Sequence, residues 1–296
     1  MPNTIAMNSA PAEKQVKKPN FFTKRRDYNI WGVLVLFLGS FIMLFPFVFA
    51  VSSSLANTAQ DVYQMKWFQG WNWGNYAKVL IEAEMFKYIG NTLIITAINM
   101  VGVVLSNSFI AFGFARYEFK GNQAMFFATL CTMFLPGTIM QVPMFVMFNA
   151  VGAIDTFIPL TIGSFFGGAG TIFMMRQCYK GIPGALYEAA MIDGAHPIYI
   201  WARIYVPLAR GFIFTMCLNT FRSCWNDLFG PLIYITSDSK RTLSLALANF
   251  NTKYEASGDI PVLMAAAVIG MAPTIIIFCF VQKQFIAGMA SAAVKG

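Results

Sequence analysis

Six apolar runs, each long enough to cross a bilayer and almost free of charge, constrain this chain more than any other feature. They cover about residues 30–51, 89–115, 124–148, 157–175, 208–235 and 262–282. A helix needs roughly 20 apolar residues to cross a hydrocarbon core about 30 Å thick. In lipid every backbone N–H and C=O must find a partner inside the protein, which leaves helices as the way for such runs to span. The expected fold class is an all-α polytopic membrane protein with six transmembrane helices. Composition agrees: charged residues make up 11% of the 296, against about 25% in a soluble domain. Pro46, Pro136 and Pro143 fall inside runs, where neighbouring helices can cover the carbonyls that proline frees. The first run is too long for a signal-peptide core and lacks a small-residue cleavage pattern, so it is expected to stay as an anchor.

Basic residues set the expected orientation. With the N-terminus inside, the inner segments hold fourteen of the 21 Lys and Arg: six in the tail, then Arg116, Lys120, Arg176, Lys180, Arg203, Arg210, Lys283 and Lys295. The outer loops hold six, and Arg222 lies within a run. Both termini are therefore expected on the cytoplasmic side of the membrane. Residues 1–29 read as a basic cytoplasmic tail, and 30–296 as one domain, since no repeat or linker divides them. The net charge of +8 follows from this inside bias. The cations are scattered among short loops and form no nucleic-acid-binding patch.

Several chemistries are excluded. The chain has one histidine, His196, so imidazole metal clusters and Ser–His or Cys–His dyads elsewhere are ruled out. The five cysteines include no CxxC pair and read as small core residues. There is no GxxxxGK[ST] phosphate loop, and Gly167-Gly168-Ala169-Gly170 lies in an apolar run, where close helix packing explains it. No carboxylate pair has a spacing suited to acid–base work. The chain is expected to be no enzyme and to hold no cofactor or metal.

One long polar stretch between apolar runs is built rather than merely connecting. Ala185–Met191 is rich in helix formers, Pro183 stands near a first helical position, and Gly194 permits a reversal. Pro197 can open a second short helix carrying Ile198, Trp201, Ile204 and Tyr205 at helical spacing. A helix–bend–helix with one apolar face is a docking element that presents a helix to a partner's groove.

Polar residues inside spans face a cavity or a bundle interior. The fifth run carries Asn219, Arg222, Ser223, Trp225, Asn226 and Asp227, with Asn219, Arg222, Ser223 and Asn226 on one helix face. Asn107 and Gln141 extend the set on other runs. Structural hydrogen bonding explains any one of these about as well as a solute path, including an Arg222–Asp227 pair. As a stripe beside Phe221 and Trp225, amides and hydroxyls suit a sugar, and an unpaired Arg222 would suit an acidic one. The outer loop 52–88, with Trp67, Trp71 and Trp73 and an expected helix over 75–87, reads either as an aromatic belt or as a docking surface.

Glu188-Ala189-Ala190, then three residues, Gly194, nine residues, Ile204, and Val206-Pro207 resemble the EAA loop of ABC-importer permeases, with Val206 where that family more often has Leu. Trp225-Asn226-Asp227 with Pro231-Leu232 resembles the WND–PL stretch of sugar-importing permeases. So do Asn91-Thr92, Ala115-Arg116-Tyr117 with Lys120-Gly121, and Thr242–Ala246. Gln282–Gly288 and Ala293–Gly296 resemble the terminus of the MalG type. The resemblance covers about residues 30–296 and is to a carbohydrate ABC-importer permease of the MalG-like kind. It implies a second, homologous permease chain, two ATP-binding cassette subunits that hold ATP and Mg, and a periplasmic or lipid-anchored sugar-binding protein. It also implies that Glu188, Ala189, Ala190, Asp193, Gly194 and Pro207, in a loop over about 183–207, couple to the ATPase, and that Val294, Lys295 and Gly296 reach toward it. Arg222 departs from what a neutral-sugar permease would carry, which favours an acidic, alginate-like oligosaccharide. A neutral oligosaccharide or a glycerol-phosphate is the alternative. An ATP-independent channel or carrier is the remote one, since Asp227 alone is acidic within a run and offers no carboxylate relay.

Overall fold

The computed structural model describes the backbone of residues 30–293 and the side chains of 30–250 and 258–280. The basic tail 1–29 and the terminal residues Val294, Lys295 and Gly296 lie outside the described residues. The described backbone is helical, with no strand among it. By internal contacts the chain divides into residues 1–47 and 48–296, a boundary inside the first helix, α1 (Ile30–Ser54). In the first unit, every side chain from Ile30 to Phe47 is exposed and nearly all are apolar, which is the surface a lipid-facing helix presents.

In the second unit the long helix α2 (Met85–Arg116) rises about 48 Å over its 32 residues. It joins two apolar clusters. One gathers Met85 and Tyr88 with Phe221, Trp225, Leu243 and Val262; the other gathers Ala111 and Phe112 with Phe126, Met175, Tyr179, Ile200 and Tyr205. The following helices are α3 (Asn122–Cys131), α4 (Gly137–Ala150), α5 (Ala169–Lys180), α6 (Ala185–Ile192), α7 (Arg210–Trp225), α8 (Phe229–Tyr234), α9 (Leu243–Ser257) and α10 (Ile260–Ala293). Gly102 on α2 shows why small residues sit where helices meet: a Cβ there would strike the side chains of Ser164 and Phe165.

Four helical stretches are each long and apolar enough to cross a membrane: Ile30–Ser54, Met85–Arg116, Ile158–Lys180 and Ile260–Phe280. Two further pairs qualify jointly but are bent, by 94° between Asn122–Phe134 and Gly137–Ala150, and by 81° between Pro197–Leu208 and Arg210–Trp225. Counting each pair as one crossing gives six. The third and fifth runs are thus not the continuous spans that hydropathy predicts. Pro136 explains the third: it holds Leu135 in an extended conformation (φ −79°, ψ 113°), the restriction proline imposes on its predecessor. In the fifth, the 81° bend falls at Ala209, where the run begins; the helix then stops at Trp225, and Asp227 accepts from the Gly230 amide (3.1 Å) as α8 begins. Pro46 and Pro143, by contrast, lie inside intact helices. The helix expected over 75–87 is also interrupted, at Glu84, whose φ is +51°.

Candidate functional site

The 183–207 loop folds largely as its residues dictate. The Pro183 carbonyl accepts from Leu186, and α6 runs from Ala185 to Ile192. It ends with Gly194 at φ +80° and bonds from Gly194 N to Met191 O (3.0 Å) and from Ala195 N to Ala190 O (2.9 Å). That is the left-handed reversal for which glycine carries no Cβ penalty. His196 then caps the next turn, its Nδ1 accepting from Ile198 N (3.3 Å). Pro197–Ile200 continues into a widened turn, Trp201–Tyr205.

This loop has two faces. Tyr187, Ala190, Ala195, Trp201 and Ile204 pack into the cluster around Phe112 and Tyr179. Leu186, Glu188, Ala189, Met191, Ile192, Asp193 and Gly194 are exposed, Ile192 by 86%. Pro207 is exposed at the far end. Ile192 is thus an exposed apolar side chain between two carboxylates, Glu188 and Asp193, on a helix whose other side is packed.

Both roots of the loop are fastened to the last turns of α2. Arg116 donates through Nη2 to the Tyr179 carbonyl (2.7 Å) and to the Ile182 carbonyl, and its guanidinium lies 5.0 Å over the Tyr205 ring. The Trp201 indole N–H donates to Ser108 Oγ (2.9 Å), which also bonds the Tyr179 hydroxyl (2.7 Å). Phe112 meets Tyr179, Tyr187 and Tyr205 edge-on. Arg176, 7% exposed, donates to the Phe114 carbonyl (3.1 Å) and lies 4.0 Å over the Phe126 ring. From sequence both arginines read as orientation charges, Arg116 also as part of the Ala115-Arg116-Tyr117 resemblance. The available signal was an arginine close to a helix C-terminus, where the dipole and free carbonyls attract a cation.

The polar stripe separates into two groups. Asn219 and Ser223, with Thr171, Thr215 and Thr220, line a cavity of about 240 Å³ together with Val103, Met174, Phe212 and Met216. Its volume falls below the roughly 300 Å³ at which small-molecule pockets begin. Arg222 stands on the flank of that face, exposed, and makes no ion pair among the described residues. The Arg222–Asp227 pairing weighed from sequence does not form. Gln141 is half-buried on α4 and does not line this cavity.

The other group is engaged in packing. Trp225 is 3% exposed, stacks on Phe221 at 5.2 Å, and donates to the Gly270 carbonyl (2.9 Å). Asn226, though exposed, donates to the Arg222 carbonyl (2.8 Å), and Asp227 accepts from the Gly230 amide (3.1 Å). Asn107 is 1% exposed, donates to the Val103 carbonyl (2.8 Å) and accepts from the Gly168 amide (2.7 Å). Its side chain satisfies a backbone amide at the helix break, where Gly167 has φ +82°. In this conformation Trp225 and Asn107 offer nothing to a solute.

The sequence matches the model of a family described as binding-protein-dependent transport system inner membrane component, over residues 107–291. It is 30% identical over 258 residues to the melibiose/raffinose/stachyose import permease protein MelC of Bacillus subtilis, covering 85% of this chain and 91% of that one. It is 26% identical over 266 residues to the lactose transport system permease protein LacG of Rhizobium radiobacter, covering 90% and 96%. The fold is similar to a chain in the crystal structure of a bacterial ABC transporter involved in the import of the acidic polysaccharide alginate, with a TM-score of 0.77 at 23% identity over 90% of this chain and 99% of that one.

Proposed function

Because the chain belongs to the binding-protein-dependent transport system inner membrane component family, we propose that it forms half of the translocation pathway of an ATP-driven sugar importer, with Glu188, Ala189, Ala190, Asp193, Gly194 and Pro207 presented to an ATPase subunit. As a family member it is a multi-pass inner-membrane transport subunit and not an enzyme. In the proposed assembly ATP and Mg bind to two partner ATPase subunits. A homologous permease chain completes the cavity beside α7, and a sugar-binding protein delivers solute to the face opposite the loop. With both termini cytoplasmic and six crossings, the loop meets the ATPases directly.

One observation carries the coupling role: the exposed apolar tip of α6 at Ile192, between Glu188 and Asp193, on a helix whose reverse face is locked into the bundle. ATP-driven closure of the partners then pushes on this loop and alternates access to the chamber. Glu188→Lys reverses charge at the contact. It is expected to abolish ATP-coupled uptake in a complex that still assembles, and unchanged uptake would sink the coupling assignment.

A second observation bears on the substrate. An arginine on an exposed face of a membrane helix is costly against lipid; Arg222 therefore suits a water-filled chamber shared with the partner permease. It would pair with a carboxylate on the solute. MelC is named for neutral sugars and the alginate importer for an acidic polysaccharide, and Arg222 favours the acidic class. The test is ATPase activity of the reconstituted complex with its binding protein, offered a uronate oligosaccharide or raffinose. Stimulation by the uronate that Arg222→Ala removes supports an acidic substrate. Stimulation by raffinose, indifferent to Arg222→Ala, makes the arginine structural and leaves the importer reading standing.

A further inference from the structure

The C-terminal ends of α2 and α5 lie side by side, and each is capped by an arginine from the other. Arg116, in the last turn of α2, takes the Tyr179 and Ile182 carbonyls at the end of α5. Arg176 on α5 takes the Phe114 carbonyl at the end of α2. Neither arginine has a carboxylate partner among the described residues. Each serves instead the free carbonyls and negative dipole end of a neighbouring helix. A guanidinium suits this use because its fork reaches two acceptors at once.

Arg116 also touches both roots of the 183–207 loop. Ile182 immediately precedes the loop, and the Tyr205 ring under the guanidinium closes it. Eight residues earlier on α2, Ser108 holds Trp201 and Tyr179. The exposed middle of the loop is thus suspended from two attachment points on one helix.

We propose that Arg116 is the positioning residue that makes α2, α5 and both roots of the loop a single rigid body, so that a push on α6 is delivered along α2 rather than absorbed where the loop joins the bundle. This rests on the coupling role given to the loop above. An elastic root would let α6 move against the ATPase while α2 stayed in place. Hydrolysis would then proceed without opening the chamber, because coupling requires an element that both sites bias.

The test is a distance within this chain in the assembled complex. Spin labels replace Leu93 and Leu186, both exposed, through an unnatural ketone residue, and are compared in nucleotide-free and ATP-trapped states. In the wild type the distance is expected to hold within about 2 Å between states, well under the one-turn step of about 5 Å by which packed elements slip. In Arg116→Gln it is expected to broaden and shift by about that step. A wild-type distance that changes by as much between states overturns the rigid body, and an Arg116→Gln distance that stays fixed overturns the role of Arg116. If Arg116→Gln does not assemble, Arg116→Lys keeps the charge but lacks the fork that reaches two carbonyls, and a distance that stays fixed in it is equally damaging to the role of Arg116. The coupling reading fails separately: it falls if the Leu186 label is indifferent to the presence of the ATPase subunits, whatever the internal distance does.

Discussion

The two ends of the helical bundle are stitched by opposite chemistries. At the loop end, Arg116 and Arg176 reach main-chain carbonyls and aromatic faces, with no carboxylate in the contact. At the other end, Asp155 does the fastening. Held at φ +59°, it accepts from the amides of Thr236 (3.0 Å) and Ser237 (2.8 Å), from the Ser237 hydroxyl and from Lys240 Nζ (3.3 Å). The same 235–243 segment is tied to α2 through Asn91, which donates to the Ser239 and Arg241 carbonyls, and Thr92, which accepts from Leu243 N. The Ser237 hydroxyl, with the nearby amides, holds the Asp155 carboxyl well below the usual carboxylate range. One end therefore carries a joint that protonation can undo. The loop-end joint is made of guanidinium, carbonyl and aromatic contacts, with no carboxylate ion pair among the described residues.

The largest effect expected from this contrast is that of Arg176→Ala. It removes a buried side chain from over Phe126 and leaves the Phe114 carbonyl without its cap. Lost packing of the stem plus an unmet buried acceptor predicts a loss of about 2–3 kcal/mol, read as a lowered thermal midpoint of the solubilised complex at pH 7. The deficit should be the same at pH 5. A deficit that shrinks with acid would mean an unseen carboxylate shares the joint.

Asp155→Ala should do less to the whole and more locally. Thr236 and Ser237 lose their amide acceptor, so their hydrogen exchange should rise on the order of ten-fold while exchange in α6 stays unchanged. Exchange rising at both ends would show that the two joints are one cooperative unit, which breaks the comparison.

How far this contrast could be read from sequence differs along the chain. The loop was legible because its structure is local: Gly194 needed φ > 0, Pro197 needed a first-turn position, and both were met. The division of the polar stripe into a cavity group and a packing group is not legible, because Asn107 on α2 and Trp225 on α7 look like any polar or aromatic residue until their partners, Gly168 and Gly270, are known. Pro136 and Pro143 stand seven residues apart in one apolar run, yet only the first turns the chain, and a hydropathy window cannot see the extended Leu135 that makes the difference. Arg116 and Arg176 show the same limit: sequence gives their charge and side, but not the Tyr179, Ile182 and Phe114 carbonyls they reach.

Acid sharpens the comparison further. A carboxylate whose folded pKa is depressed contributes stability that is fully present above its unfolded value, about 3.9, and lost as pH falls through the folded one. Exchange at Thr236 and Ser237 should therefore be flat from pH 8 to about pH 5, after correction for intrinsic rates, and should rise only below about pH 4. Asp155→Asn should remove that acid limb. An acid limb persisting in Asp155→Asn would assign the transition to Asp238 or another carboxylate of the same segment.

The smallest effect expected is that of Trp201→Phe, and it isolates one hydrogen bond at the loop end. The ring contact with Phe109, at 5.4 Å and nearly perpendicular, is kept in kind, and the Ser108–Tyr179 bond remains. Only the indole N–H to Ser108 is lost, worth about 1 kcal/mol for a neutral bond with an alternative partner still in place. The thermal midpoint should fall slightly, with no dependence on pH between 5 and 8. A fall as large as that of Arg176→Ala would mean that Trp201 is the principal support of this end. The arginine caps would then be trimming on a joint made chiefly of aromatic packing, and the two ends would differ in side-chain type more than in their response to charge.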